Sequence, residues 1–177
     1  MIKMKIFKNK KINSSGVSLV EMIIYAAIFS TISLVLVSFL VGAMRAWINA
    51  KTQRDLVVGA QHALNVVSQV VRPAQNIYLP ESSLGVTLGA LSVTTEQNPP
   101  AHNIKFYVTD STLYEQDGTT PAFAITPNNI SVSQFQINTI TSSSTPQGIQ
   151  ISLGLLSRAI PATNKTFYAT MVWRGGY

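Results

Sequence analysis

Apolar and polar positions along this chain fall into three regimes. From Met22 to Met44, 23 residues are nearly all apolar or small, with Ser30, Thr31, Ser33 and Ser38 as the main polar content. At about 1.5 Å of rise per residue, such a run crosses the roughly 30 Å hydrocarbon core of a bilayer as a helix. The hydroxyls are tolerable because each can bond back to a carbonyl of the preceding turn. Beyond Arg45 the pattern changes. Leu56, Ala60, Leu64, Val67 and Val71 recur at spacings of four, four, three and four, which is one apolar face of an amphipathic helix. Arg54, Asp55, Gln61, Asn65 and Gln69 sit largely off that stripe. Pro73 supplies the stop, since it lacks an N–H and disfavours helix in the residue before it. The spacing predicts one helix from about Val17 to Val71, roughly 80 Å long, greasy all round in its first half and on one side only in its second. Gly42 and Gly59 are its intrinsic weak spots, each costing about 1 kcal/mol relative to alanine.

From residue 76 onward the period drops to two. Strands are predicted over Gly85–Thr94, Ile104–Thr109, Thr112–Glu115, Ile130–Thr139, Gly148–Leu155 and Thr166–Trp173. Ile104, Phe106 and Val108 share a face, as do Ile149, Ile151, Leu153 and Leu155. The series Ile130, Val132, Phe135, Ile137 keeps one face only with a bulge at Ser133-Gln134. Asp110-Ser111 and Asp117-Gly118 read as turns, and Thr95–Asn103 and Thr141–Gln147 as polar loops. The fold class is therefore α+β, a long N-terminal helix packed on a C-terminal antiparallel β-sheet.

Charge sharpens this reading at one residue. Glu21 is the only charged side chain between Lys11 and Arg45. A lone acid at membrane depth is expensive, and such residues mark function. It follows a basic leader with lysines at 3, 5, 8, 10 and 11 and no acids, then Gly16, then Val17-Ser18-Leu19-Val20-Glu21-Met22. An ordinary secretory signal places its small cleavage residue after the apolar run; here Gly16 precedes it, so the apolar segment is expected to stay in the product. The leader lysines are expected to remain cytoplasmic, which puts the C-terminus outside. The formal charge of +6 is concentrated in the leader. After a cut behind Gly16, eight Lys and Arg face seven Asp and Glu. That near-neutral product, with no basic patch interleaved with aromatics, gives no footprint for nucleic-acid binding. The chain has no cysteine, which excludes disulfides and thiolate chemistry.

With Lys10-Lys11 in a short leader, Gly16 at the junction, Ser18-Leu19-Val20-Glu21-Met22 after it and the apolar helix behind, the first forty-five residues or so resemble a type IV prepilin or a type II secretion pseudopilin. The ending Phe167-Tyr168-Ala169-Thr170-Met171-Val172-Trp173-Arg174 resembles minor pseudopilins of the J type. The resemblance implies four parts: a cleaved cytoplasmic leader over 1–16, a transmembrane or filament-core helix over 17–44, an amphipathic continuation over 45–72, and an extracytoplasmic β-rich pilin head over 76–177. It implies a membrane aspartyl protease, the prepilin peptidase, cutting between Gly16 and Val17 and methylating the new amino terminus of Val17. It further implies partnership with other pilin or pseudopilin subunits and with an inner-membrane assembly platform. The chain would be a structural filament subunit, a substrate of an enzyme rather than an enzyme, with no cofactor. Val17 departs from the usual phenylalanine. Proline is absent between Val17 and Met44, and so is the C-terminal disulfide loop of many major pilins.

A role for Glu21 can be stated without the family. Cleavage creates an α-ammonium on Val17 near the membrane surface. Two isolated buried charges each carry a penalty of several kcal/mol, and opposite charges brought together cancel part of it. If Glu21 of one subunit meets the amino terminus of its neighbour, assembly acquires an axial register, while Leu19, Met22, Ile23, Phe29, Leu34, Leu36 and Phe39 supply contact area. Two other readings stand beside this one: a competence pseudopilus component, and a membrane-anchored extracytoplasmic binding or sensor domain that never polymerises. Glu21 also suits a helix start, where the dipole favours an acid. His62 and His102 lack a ligand-like spacing. Asp110, Glu115 and Asp117 are hard oxygen donors that could take calcium, or solvated turn residues.

Overall fold

The computed structural model describes residues 16–74, 76–95, 102–142, 145–159 and 162–172. The basic leader, Trp173, Arg174 and Tyr177 lie outside the described residues. The chain divides into two compact units, Met1–Ala46 and Trp47–Tyr177.

Helix α1 runs from Leu19 to Val71 and contributes to both units. In the first unit it is exposed on every side, and no part of its apolar window is buried within the chain. It is the one helix among the described residues long and apolar enough to cross a membrane. The hydroxyls behave as expected of apolar surroundings. Ser30 donates to the Ala27 carbonyl, Thr31 to those of Ala27 and Ile28, and Ser38 to that of Leu34, all at 2.8 to 2.9 Å. These three hydroxyl protons are thus satisfied within their own helix.

In the second unit α1 buries Thr52, Leu56, Gly59, Ala60, Ala63, Val67 and Val71. Leu64, expected on this stripe, is only half-buried, and Ala63 takes its place. Small residues dominate the middle of the face because the helix lies close to the sheet there. A Cβ on Gly59 would stand 2.6 Å from Ile130 Cδ1. Gly59 is therefore the point of close approach rather than simply a weak spot in the helix. Arg72 and Pro73 form a turn after the last helical residue, as the proline requires.

Among the described residues, eight strands form two antiparallel sheets. The first has the order β1 (Asn76–Ile77), β2 (Ala90–Thr95), β3 (His102–Thr109), β4 (Thr112–Asp117) and β5 (Phe123–Ala124). The second joins β6 (Ile130–Ser142), β7 (Thr145–Ser157) and β8 (Asn164–Val172). Registers put like beside like: Leu91 opposite Phe106, Val108 opposite Leu113, Phe135 opposite Leu153, Ile137 opposite Ile151, and Leu153 opposite Phe167. Such directly opposed apolar pairs are the local unit of sheet stability. The expected bulge is present, with the β6–β7 register shifting between Val132 and Gln134. The extra residue, Ser133, restores the parity that lets Val132 and Phe135 face the same way. Asp110 and Ser111 both adopt positive φ, 51° and 59°, the combination that a tight two-residue hairpin needs.

Several boundaries differ from the sequence expectation. The strand expected from Gly85 begins only at Ala90, because Gly85 has φ +76° and turns the chain. Residues 85–89 instead run beside β6, with Gly85 and Gly89 donating to the Ile137 and Phe135 carbonyls. Thr141, Ser142 and Thr145 to Gln147, expected as loop, belong to β6 and β7, where Ser142 pairs with Thr145. Thr95, His102 and Asn103 likewise belong to β2 and β3. Serine and threonine suit pleated backbone when a partner strand satisfies it. Strands β1 and β5 and a 3₁₀ turn at Leu79–Glu81 were not anticipated. Helix and sheets share one core, from Leu56, Ala60, Ala63, Val67 and Val71 to Leu91, Phe106, Leu113, Phe135, Ile151 and Leu153.

Candidate functional site

The site that sequence singled out lies at the start of α1. Gly16, Val17 and Ser18 precede the helix and are exposed. The first amide bonded into the helix is that of Met22, which donates to the Ser18 carbonyl at 3.1 Å. Ser18 thus occupies the helix-capping position, and Glu21 stands three residues on. Among the described residues, a Cβ on Gly16 would meet nothing within 4 Å. Nothing within the described chain requires glycine there.

Glu21 is exposed on the helix surface among exposed Leu19, Val20, Met22 and Ile23. Residues 21 and 25 lie one turn apart on the same face. Tyr25, itself exposed, donates its hydroxyl to Glu21 Oε1 at 2.8 Å. A capping role would turn Glu21 back toward the Ser18 amide. Among the described residues the carboxylate instead accepts from Tyr25, one turn further along. The sequence reading missed Tyr25 because its aromatic ring counted as one more apolar residue. Its spacing of four from the only acid was the available signal.

The other candidates are spread out. His62 borders an open groove of about 1020 Å³ with Trp47, Lys51, Arg54 and Asp55 of α1 and Phe123, Thr126 and Asn129 opposite. Thr126 supplies the only hydroxyl of that lining, and it accepts from the Leu113 amide at 3.0 Å. Asn129 donates to Asp55 Oδ2 at 3.4 Å. At the mouth, Lys51 Nζ lies 5.5 Å from the Trp47 ring centre, within cation–π range.

His102 pairs with Asp117 at 3.0 Å. Glu115 sits on β4 with Phe106 opposite on one side and Phe123 on the other. Burial raises its carboxyl above the ordinary value of 4.5, and the negative charge of Asp117 adds to the effect. Asp110 occupies the hairpin turn instead. Among the described residues, no three His, Asp or Glu side chains converge as metal ligands would. Comparison of the chain with family models, with curated proteins and with solved structures finds no match.

Proposed function

We propose that this chain is a structural, pilin-like subunit, a minor one by the likeness of its ending to J-type pseudopilins. In this reading prepilin peptidase cuts between Gly16 and Val17 and methylates Val17. The α1 segment then holds the subunit in the cytoplasmic membrane, with its C-terminus outside, until an assembly platform stacks it with other subunits into a filament. One observation carries the reading: a lone carboxylate, Glu21, stands on a helix segment that is apolar and exposed on every side, five residues into the expected product.

The physical argument is one of unmet requirements. Exposed Leu19, Phe29, Leu34 and Phe39 need lipid or other helices around them, because a large exposed apolar surface marks a contact. Glu21 needs a counter-charge in those same surroundings, and its own helix offers only a tyrosine hydroxyl. The α-ammonium of a neighbouring Val17 meets that need and links cleavage to stacking. Trp47 and Lys51 follow the apolar run and suit the boundary between hydrocarbon and water.

The rival reading is a membrane-anchored domain that does not polymerise. It draws on the self-contained core of the Trp47–Tyr177 unit, to which no described residue before Thr52 contributes. The parent's presence in sheared fibres separates the two, and Glu21→Ala then tests the pairing. The assembly reading expects a variant that is cleaved and membrane-bound but absent from sheared fibres. Normal incorporation of that variant would refute the pairing.

A further inference from the structure

We infer that Tyr25 is a positioning residue for Glu21, holding the carboxylate in the conformation that receives the amino terminus of a neighbouring subunit. The inference rests on the assembly role proposed above for Glu21.

The geometry has three parts. Tyr25 Oη donates to Oε1 of Glu21 at 2.8 Å. This bond leaves Oε2, and further lone pairs on Oε1, free for a second donor. Side chains on a helix lean toward its N-terminus, so the Tyr25 ring lies back over the turn that carries Glu21. The bond comes to the carboxylate from the turn on its C-terminal side, and Glu21 remains exposed. Glutamate has three rotatable side-chain bonds, and fixing it costs entropy that docking would otherwise have to meet. A bond formed beforehand within the same helix lowers that cost, which is how preorganisation raises affinity.

Each partner also has a reason to keep the bond. A phenolic hydroxyl in apolar surroundings needs an acceptor, and Tyr25 stands in the most apolar part of the chain. A carboxylate there needs a donor while its counter-charge is still absent. The pair therefore serves the waiting subunit in the membrane as well as the docked one.

The test is Tyr25→Phe in the full chain, expressed with its own processing and assembly machinery. This substitution removes one oxygen and keeps the ring. Removing the leader should proceed as in the parent, read as intact mass. Incorporation into sheared fibres should fall about tenfold, because the entropy of a freed glutamate side chain must then be met on docking. In a Glu21→Gln background the same change should add less than about twofold, since the two residues act as one unit.

Parent-level incorporation of Tyr25→Phe, alongside strong loss in Glu21→Gln, would overturn the role of Tyr25 and leave the Glu21 pairing standing. An equal Tyr25→Phe loss in both backgrounds would also overturn it, because the hydroxyl would then act independently of the carboxylate. Parent-level incorporation of Glu21→Gln would remove the pairing itself, and this inference with it.

Discussion

A close approach of helix to sheet, Gly59 against Ile130, makes a quantitative test of the core. Alanine at 59 should gain about 1 kcal/mol from helix propensity. Its Cβ would also stand 2.6 Å from Ile130 Cδ1, far inside normal carbon contact. Ile130 is itself buried, so relief requires an off-rotamer side chain or a backbone shift, at about 1–3 kcal/mol. Gly59→Ala alone is therefore expected to lie between neutral and about 2 kcal/mol destabilising. Ile130→Val removes the contacting methyl and should cost about 1 kcal/mol by itself. Combined, the valine makes room for the alanine, and the double variant should recover at least about 1 kcal/mol relative to the sum of the singles. Urea unfolding of the full chain in mild detergent, followed by circular dichroism, supplies the four free energies. Additivity within about 0.5 kcal/mol, the behaviour of distant sites, would refute the packing of α1 on β6 described here.

Two further outcomes follow from the junction and from strand β4. Gly16→Val should leave the leader attached, since a Cβ there meets nothing among the described residues and the proposed protease is the part expected to bind this stretch closely; a product beginning at residue 17 in that variant, read by mass, would contradict a tightly fitting protease. Glu115 has a raised carboxyl pKa from burial and from Asp117, so between 4.5 and its folded value the native state binds more protons than the unfolded one. Stability contributed by this group is present at low pH and lost as pH rises through that interval. Glu115→Gln should accordingly be the more stable form at neutral pH, and the gap should close below about pH 4.5; a pH-independent difference in unfolding midpoint would count against the burial argument.

The long helix was legible because two periodicities meet without a break. The continuous apolar run from Met22 and the three-and-four spacing from Leu56 to Val71 predicted a helix ending at Val71, where it ends. What the pattern could not rank was which small residue faces the core. Ala63 displaced Leu64 because close helix–sheet approach favours a short side chain, and that approach depends on Ile130, more than sixty residues away. The strands with four or more alternating apolar positions were readable, as was the Ser133 bulge, since parity alone demands it. Two-residue strands such as Asn76–Ile77 and Phe123–Ala124 carry no period and depend wholly on a neighbour's unpaired backbone. The β6–β7 extension through Ser142 and Thr145 was hidden for a related reason, because its polar side chains resemble a loop until a partner strand is in place. At the proposed assembly site, Glu21 stood out by charge alone. Tyr25 did not, because a hydropathy pattern counts its ring and overlooks its hydroxyl.

The central claim is that this chain is cut behind Gly16 and then built into a filament through its exposed helix. Intact-mass measurement of the protein recovered from fibres sheared off the cell surface tests it most directly. The account predicts a species beginning at Val17 in the fibre fraction. A chain still beginning at Met1, confined to the membrane and missing from every fibre preparation, would contradict it.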